Sequence, residues 1–359
     1  MDSWPLPRIL PGMLSVALLA PSAPPSVTGN AVTVDRIARG LGGRGVGVRV
    51  WDLSVMPEHR VMAEIDAARP ALVHAFHAFR TGPLAERLAR QLGVPLVVTL
   101  TGTDANHDLF DPDRAATVRG VLEGAQAIIV FHRSIAARVS GALPDAEPKL
   151  TIVPQAAVLD DVPYVLDSHW RLPQSRVLFL FPGGIRPVKR PRLPLAAFSR
   201  LVERRPSVRL AYAGPVVDEP EAELLARELA HRPWACHLGA VPHAQIASLM
   251  RQADVVLNCS ESEGGMPNAV IEAMLCERPV LASDIAGNRS LVEHDMTGLL
   301  FRDEAELERA ALRLVDDPAL RGRLAAGGHA RVLAECSASR ELDDHLAVYR
   351  RLAPLAAHV

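Results

Sequence analysis

Lysine is nearly missing from this chain of 359 residues: of 39 basic residues, only Lys149 and Lys189 are lysines. A lysine retained against so strong an arginine bias draws attention to its position. Aromatic residues make up 4% of the chain, which leaves few stacking platforms for a long oligosaccharide. No apolar run is long enough to span a bilayer. An excess of charge is missing too: the formal net charge is -2, whereas a nucleic-acid protein usually carries a basic excess. The four cysteines, Cys236, Cys259, Cys276 and Cys336, have no paired metal-ligand spacing. They read as reduced, buried thiols of a cytoplasmic protein. The opening "MLSVALLAPSA" is only faintly like a leader, because its apolar run is short, Asp2 replaces a basic start and Pro11-Gly12 interrupts it. Residues 14–20 are expected to form the first buried strand instead.

What is present is an ordinary globular composition, 49% hydrophobic and 22% charged. The length exceeds one usual core, so two domains are expected. Short apolar runs alternate with helical patterns. "LSVALLA", "GVRVWDL", "ALVHAF", "PLVVTL", "AIIVFH" and "KLTIVP" read as strands, and Val34, Ile37, Ala38 and Leu41 fall on one helical face. Prolines and aspartates break the rhythm at 157–176. It restarts with "VLFLFPGG", "VRLAYAG", "ACHLGAV", "DVVLNCS", "PVLASD" and "TGLLF", and helical segments at 303–316, 318–334 and 339–352 close the chain. Strands joined by crossover helices imply parallel, doubly wound sheets. The expected class is α/β, with two Rossmann-like domains facing across a cleft: 1–160, a linker at 161–176, 177–335, and a C-terminal helix at 336–359.

Ligands of such sheets bind beyond the carboxyl ends of the strands, and three strand ends of the second half are unusual. After "DVVLNCS" comes "SESEGGMPNAVIEAM". Gly264 and Gly265 let a backbone approach a ligand, Pro267 suits a first helical turn, and the free amides of a helix start attract anions. Glu263 and Glu272 bracket that turn, although a capped surface helix with solvated glutamates would look the same. After "VLFLFP", Gly183 and Gly184 precede Arg186 and Lys189, a fork and a point charge suited to one diphosphate. The plain alternative is a basic loop before a helix. The third strand end, "DIAGNRSLVEHDMTGLLF", has a glycine turn at Gly287. Together they suggest a diphosphate carrying something polyhydroxylated, since carboxylates accept well from sugar hydroxyls.

The run "SEGGMPNAVIEAMLCERPVLASDIAGN…TGLLF", with "GIRPVK" before it, resembles the donor half of the retaining glycosyltransferases of family four. Within that family it is most similar to glycosyltransferase 1 domain-containing proteins. The resemblance spans roughly residues 177–335. It implies a GT-B fold, a nucleotide sugar as substrate (a UDP-sugar is the expected donor), no cofactor and no metal. By position, it implies that Glu272 holds the ribose and Glu263 the sugar. Arg186 and Lys189 would neutralise the departing diphosphate, assisted by backbone amides near Gly265, with Gly183, Gly184, Gly264, Gly265, Met266, Pro267, Asn268 and Gly287 as donor-binding residues. The chain departs from the pattern by one additional residue between the glutamates, by Gly184 in place of the usual arginine, and by Ser290 in place of a glutamate.

The acceptor side falls to the first half: "TGN" with Gly29 and Asn30, "HAFHAFRTG" with His77 and Arg80, "LTGTD" with Thr103 and Asp104, and Gln155 ending "TIVPQ". Thr101 stands where the family often has a histidine that touches the donor sugar. His77 is the candidate partner for a hydroxyl, its alternative a structural histidine. These short motifs also resemble the selenosugar synthases of selenoneine biosynthesis, which leaves transfer to a selenium or sulfur nucleophile open. A non-catalytic nucleotide-sugar-binding protein is the rival outside the enzymes. A dehydrogenase would want G-x-G-x-x-G directly after the first strand, where this chain has "APSAPPSVTGN". The expected partners are the small-molecule donor and an unidentified acceptor, with neither nucleic acid nor an integral membrane segment.

Overall fold

The computed structural model describes residues 13–166, 170 and 172–354. Asp2 and Pro11-Gly12 lie outside the described residues, as do 167–169 and 171 of the expected linker. The chain divides into two compact units, one of residues 1–155 and 338–359, the other of 156–337.

The first unit holds a six-stranded parallel sheet of β1 (Ser15–Ala20), β2 (Gly47–Asp52), β3 (Leu72–Phe76), β4 (Leu96–Thr99), β5 (Ala127–Val130) and β6 (Leu150–Ile152), in the order β2-β1-β3-β4-β5-β6. Helices α1 (Gly29–Gly42), α2 (Glu58–Ala68), α3 (Gly82–Leu92), α4 (Ala115–Gly124) and α5 (Arg133–Ala142) make the crossovers. Both faces are covered, which is why the strands read as unbroken apolar runs. Along β1, Ala17 and Leu19 enter one core, while Val16, Leu18 and Ala20 enter the other. Val34, Ile37, Ala38 and Leu41 are all buried on α1, and the Thr28 hydroxyl caps it by accepting from the Ala31 amide at 3.4 Å.

The second unit repeats the plan with β7 (Val177–Pro182), β8 (Val208–Ala213), β9 (Ala235–His237), β10 (Val255–Asn258), β11 (Val280–Ser283) and β12 (Leu299–Phe301), in the order β12-β11-β10-β7-β8-β9. Its helices are α6 (Leu193–Arg204), α7 (Glu219–Leu229), α8 (His243–Gln252), α9 (Asn268–Leu275), the single turn α10 (Ala286–Arg289), α11 (Glu304–Asp316) and α12 (Pro318–Glu335). Side chains of β7 alternate between two cores, Leu178 and Leu180 to one, Phe179 and Phe181 to the other. Tyr164 and Leu166, from the segment expected as linker, are buried in the first of those cores. Apolar side chains within that proline-rich stretch draw it onto the domain that follows.

The last helix, α13 (Ala338–Leu352), returns to the first unit. Leu342, Leu346, Val348 and Tyr349 join the core that contains Val34, Ile37 and Leu41. Arg36 of α1 grips Glu341 with two hydrogen bonds, Nε to Oε2 at 2.9 Å and Nη2 to Oε1 at 2.8 Å. No helix among the described residues is long and apolar enough to cross a membrane.

Each sheet reverses its winding once, between β1 and β3 in the first unit and between β7 and β10 in the second. Loops leaving the carboxyl ends of strands diverge there, and the gap between them is where doubly wound sheets take ligands.

Candidate functional site

In the second unit, the loops leaving β7 and β10 meet at the winding reversal. Arg190 fastens them, its Nε donating to the Cys259 carbonyl at 2.8 Å, and the Glu261 amide donates to Val188 O at 2.8 Å. Between them lies an ion pair: Lys189 Nζ stands 2.5 Å from Glu263 Oε1. That oxygen also accepts from Ser260 Oγ at 2.6 Å and Asn258 Nδ2 at 3.2 Å. The Glu263 side chain is only 12% exposed. Burial pushes its carboxyl up, but the Lys189 ammonium, by charge and hydrogen bond, together with Ser260 and Asn258, holds it below the usual carboxylate range.

The lysine picked out by composition thus meets the glutamate picked out by position. Arg186 lies one short turn earlier, half-buried, and its carbonyl accepts from the Lys189 amide at 3.0 Å. Convergence of Arg186 and Lys189 on one anion was the expectation. The structure pairs the lysine with Glu263, so any anion meeting that ammonium does so beside a carboxylate.

Gly265 has φ 114°, a left-handed backbone that side chains with a Cβ resist. It turns the chain into α9, where Pro267 occupies the N-cap position and supplies no side-chain cap. Uncapped first-turn amides attract anions. Asn268 opens the helix and Gly264 is half-buried before it. Met266, expected along the donor, is instead 5% exposed and belongs to the core with Val270 and Ile271. An apolar side chain beside a buried helix face goes inward, so only its backbone remains for a ligand.

Gly287 has a packing task. A Cβ there would come within 2.4 Å of Glu263 Cβ and 3.1 Å of the Gly265 carbonyl. The third glycine turn therefore presses against the second. Ser283 closes the same corner, its hydroxyl donating to Ser260 O at 2.5 Å, and Asn288 Nδ2 donates to Ser283 O at 2.9 Å. Gly183 and Gly184 leave β7 half-buried, the Gly183 amide donating to Ala213 O at 2.9 Å.

Glu272 lies on α9, 5% exposed. His243, the first residue of α8, donates from Nε2 to Glu272 Oε1 at 2.8 Å. Among the described residues no hydrogen bond reaches Oε2 of this carboxylate. His243 was not among the residues expected from sequence. Its signal was present, since "VPH" opens a helix after β9 just as "MPN" opens one after β10. Asn258 and Ser260, which hold Glu263, were missed because nothing in the sequence tells a strand-end polar residue from a solvated one.

The first unit brings its own candidates to its reversal. Gly29 and Asn30 start α1 after β1, and His77 follows β3 with φ 82°, an unusual backbone for a residue with a Cβ. The ring is held on both sides: Nδ1 accepts from the Arg80 amide at 3.3 Å, and Nε2 donates to Thr103 Oγ1 at 3.0 Å. Asp104 Oδ2 and Asp108 Oδ2 stand 3.9 and 3.8 Å from its two nitrogens. With its side chain 2% exposed, His77 is walled in, and the catalytic expectation gives way to a loop-holding one.

Asp104 is likewise turned inward. Its carboxylate accepts from the amides of Ala78 at 2.9 Å, Thr101 at 3.0 Å, Gly102 at 2.8 Å and Ala105 at 3.1 Å. A buried carboxylate so satisfied fixes the loop geometry and has little left for a ligand. Arg80 is exposed at the same corner, and Gln155 is buried as the last residue of the first unit.

Cys236 is half-buried, and Cys259, Cys276 and Cys336 are buried. Burial pushes the Cys259 thiol up to about 12 and the Cys276 thiol up to about 11, so neither is a nucleophile at neutral pH.

The family model described as "Glycosyl transferases group 1" matches residues 176–317, which contain every donor-side candidate above. The chain is 26% identical over 325 residues to glycosyltransferase 1 domain-containing protein 1 of Xenopus tropicalis, covering 89% of this chain and 93% of that protein. It is 31% identical over 302 residues to a D-inositol 3-phosphate glycosyltransferase of Streptomyces scabiei, covering 76% of this chain and 67% of that one. Among solved structures, a sucrose-phosphate synthase from Thermosynechococcus elongatus superposes with a TM-score of 0.81 at 21% identity, over 94% of this chain and 98% of that one. Anabaena HepE, solved in complex with UDP-glucose, gives a TM-score of 0.73 at 16% identity over 94% and 100% of the two chains.

Proposed function

This chain belongs to the group 1 glycosyltransferases, with the GT-B fold of two Rossmann-like domains, and from that premise we propose that it is a retaining hexosyltransferase of family four using a UDP-sugar. The observation that carries the reading is the pair of carboxylates, one buried and one largely covered, flanking the Gly265 turn. Glu263 is held by Lys189, Ser260 and Asn258, and Glu272 keeps one oxygen without a partner among the described residues.

Glu272 binds the ribose hydroxyls and Glu263 the sugar. The diphosphate lies at the first turn of α9 and beside the cations of the β7 loop. An ammonium has three donors, so Lys189 keeps Glu263 in place while offering a proton to a phosphate oxygen. Arg186 adds the second positive charge, and the two cations supply the stabilisation that a leaving diphosphate needs without a metal. The acceptor oxygen bonds to the anomeric carbon on the face from which the diphosphate departs, as the carbon–oxygen bond to phosphate breaks. The acceptor's proton passes to the departing phosphate oxygen, so no protein base is needed. That agrees with a buried, loop-holding His77. HepE, a protein of the same fold, was solved in complex with UDP-glucose, which supports a UDP-sugar as the donor.

The test is a thermal-shift screen of the whole protein against UDP, GDP, ADP and their common sugar conjugates in EDTA. A selective rise with UDP and one UDP-sugar is expected. No shift with any nucleotide overturns the donor site. Binding without turnover or hydrolysis, whatever the acceptor, would favour a non-catalytic nucleotide-sugar-binding protein. With a working acceptor, an α-linked product from an α-linked donor is expected, and inversion would overturn retention.

A further inference from the structure

The proposed ribose carboxylate has an unusual support. Glu272 is 5% exposed as a residue, and its single side-chain partner among the described residues is His243, at 2.8 Å from Oε1. A carboxylate on one helix that pairs with the first residue of the neighbouring helix cannot rotate about its last bond without losing that hydrogen bond. The remaining oxygen, Oε2, is thereby fixed in direction while lacking a partner of its own. That oxygen is not one of the buried side-chain atoms left without a partner, so it is open to solvent and to an incoming donor.

The histidine side chain is 29% exposed against 6% for the glutamate, so the imidazole is the more solvent-facing member of the pair. It also fixes the direction from which a donor must come. A vicinal diol brings two O–H groups about one carboxylate width apart, and a carboxylate held in one plane receives them with less ordering cost than a free one.

Resting on the donor-site reading above, we infer that His243 is a positioning residue that orients the Glu272 carboxylate and so makes the site select ribonucleotides over nucleotides lacking the 2′ and 3′ hydroxyls. The role inferred for His243 acts through its hydrogen bond to Glu272, and this separates it from a residue that packs against the base.

The experiment uses the whole chain and calorimetric titration with UDP, GDP and ADP and with the 2′,3′-dideoxy form of each. For the nucleotide that binds, His243→Ala weakens the ribo form about tenfold and leaves the dideoxy form at its wild-type affinity. His243→Gln, whose amide offers an N–H of similar reach, recovers most of the loss. Equal weakening of both forms by His243→Ala, or failure of His243→Gln to recover any selectivity, overturns the inference, because either result describes packing. Should His243→Ala not fold, judged by its melting curve, His243→Asn and His243→Gln are compared instead. The shorter amide of Asn cannot reach and loses selectivity, whereas equal selectivity in the two overturns the inference. Glu272→Gln separates the two levels. If it abolishes selectivity while His243→Ala does not, only the positioning role fails. If Glu272→Gln binds both forms as wild type does, the ribose assignment itself fails and takes the positioning role with it.

Discussion

Glu272 is a buried carboxylate and Glu263 a largely covered one, yet their partners assign them different work. Glu263 is ringed by donors and ion-paired, an arrangement suited to presenting fixed charge where a reacting sugar sits. Glu272 has one partner and one oxygen in reserve. Glu263→Gln should therefore lower turnover by about two orders of magnitude with nucleotide affinity near wild type. Glu272→Ala should weaken nucleotide binding about tenfold or more. Titration calorimetry and initial rates distinguish the two, and equal nucleotide affinity in wild type and Glu272→Ala would sink the ribose assignment. Gly287→Ala tests the corner by sterics alone. Its Cβ would overlap Glu263 Cβ at 2.4 Å, so the glutamate or its loop must shift. A destabilisation of about 1–3 kcal/mol and a turnover loss of about tenfold are expected, read from melting and rates. Wild-type turnover in that variant would show that Glu263 tolerates displacement.

At the scale of elements, α13 is a C-terminal helix with a polar centre inside an apolar contact. His74 on β3 stands 2.6 Å from the Tyr349 hydroxyl and 2.7 Å from Thr99 Oγ1. His345 Nδ1 donates to Glu341 O at 2.7 Å, and its Nε2 is buried with no partner among the described residues. Burial, and for His74 also the neighbouring His345, holds the His74 ring well below the ordinary 6.5; burial holds His345 below it too, despite Glu341. Folded rings then bind protons less readily than unfolded ones. Below about 6.5 the unfolded chain holds more protons, so stability rises with pH there and is lost as pH falls through the folded values. The melting temperature should drop between pH 7 and pH 5. His345→Leu removes one titrating ring and an unsatisfied nitrogen, so the variant should lose less on acidification and melt no lower than wild type at pH 7. An unchanged pH slope in it would exclude His345 as a contributor. The Arg36–Glu341 pair, with side chains 7% and 0% exposed, makes the converse case. Arg36→Leu takes two charge-assisted hydrogen bonds from a buried carboxylate and should cost about 3–5 kcal/mol, measured by denaturant unfolding.

For the molecule as a whole, the proposed donor contacts fall within one unit, on three consecutive strand ends of the second sheet. Hydrogen exchange with and without UDP should therefore show protection concentrated at residues 183–190, 260–275 and 284–290. Protection confined to the first unit would contradict the donor assignment. The first unit is discontinuous in sequence, residues 1–155 completed by 338–359, so its stability depends on a helix synthesised after the entire second unit.

Alternation of apolar runs with helical patterns determined both sheets before any coordinates, because a strand covered on two faces must be apolar throughout and a crossover helix must show one apolar stripe. The same reading singled out Lys189, Glu263, Glu272 and Gly287 as candidates, since strand ends, glycine turns and a rare lysine are local features. Tertiary structure decided the rest. It joined Lys189 to Glu263 across 74 positions, because β7 and β10 lie side by side at the winding reversal, and His243 to Glu272 across 29, because α8 packs beside α9. It sent Met266 into the core and closed His77 and Asp104 inside their loop, because a residue's exposure depends on what packs over it. It returned α13 to the first sheet, as its apolar face and Glu341 match α1 and Arg36. Local sequence carries the period and the turn; which groups meet is a property of the folded chain.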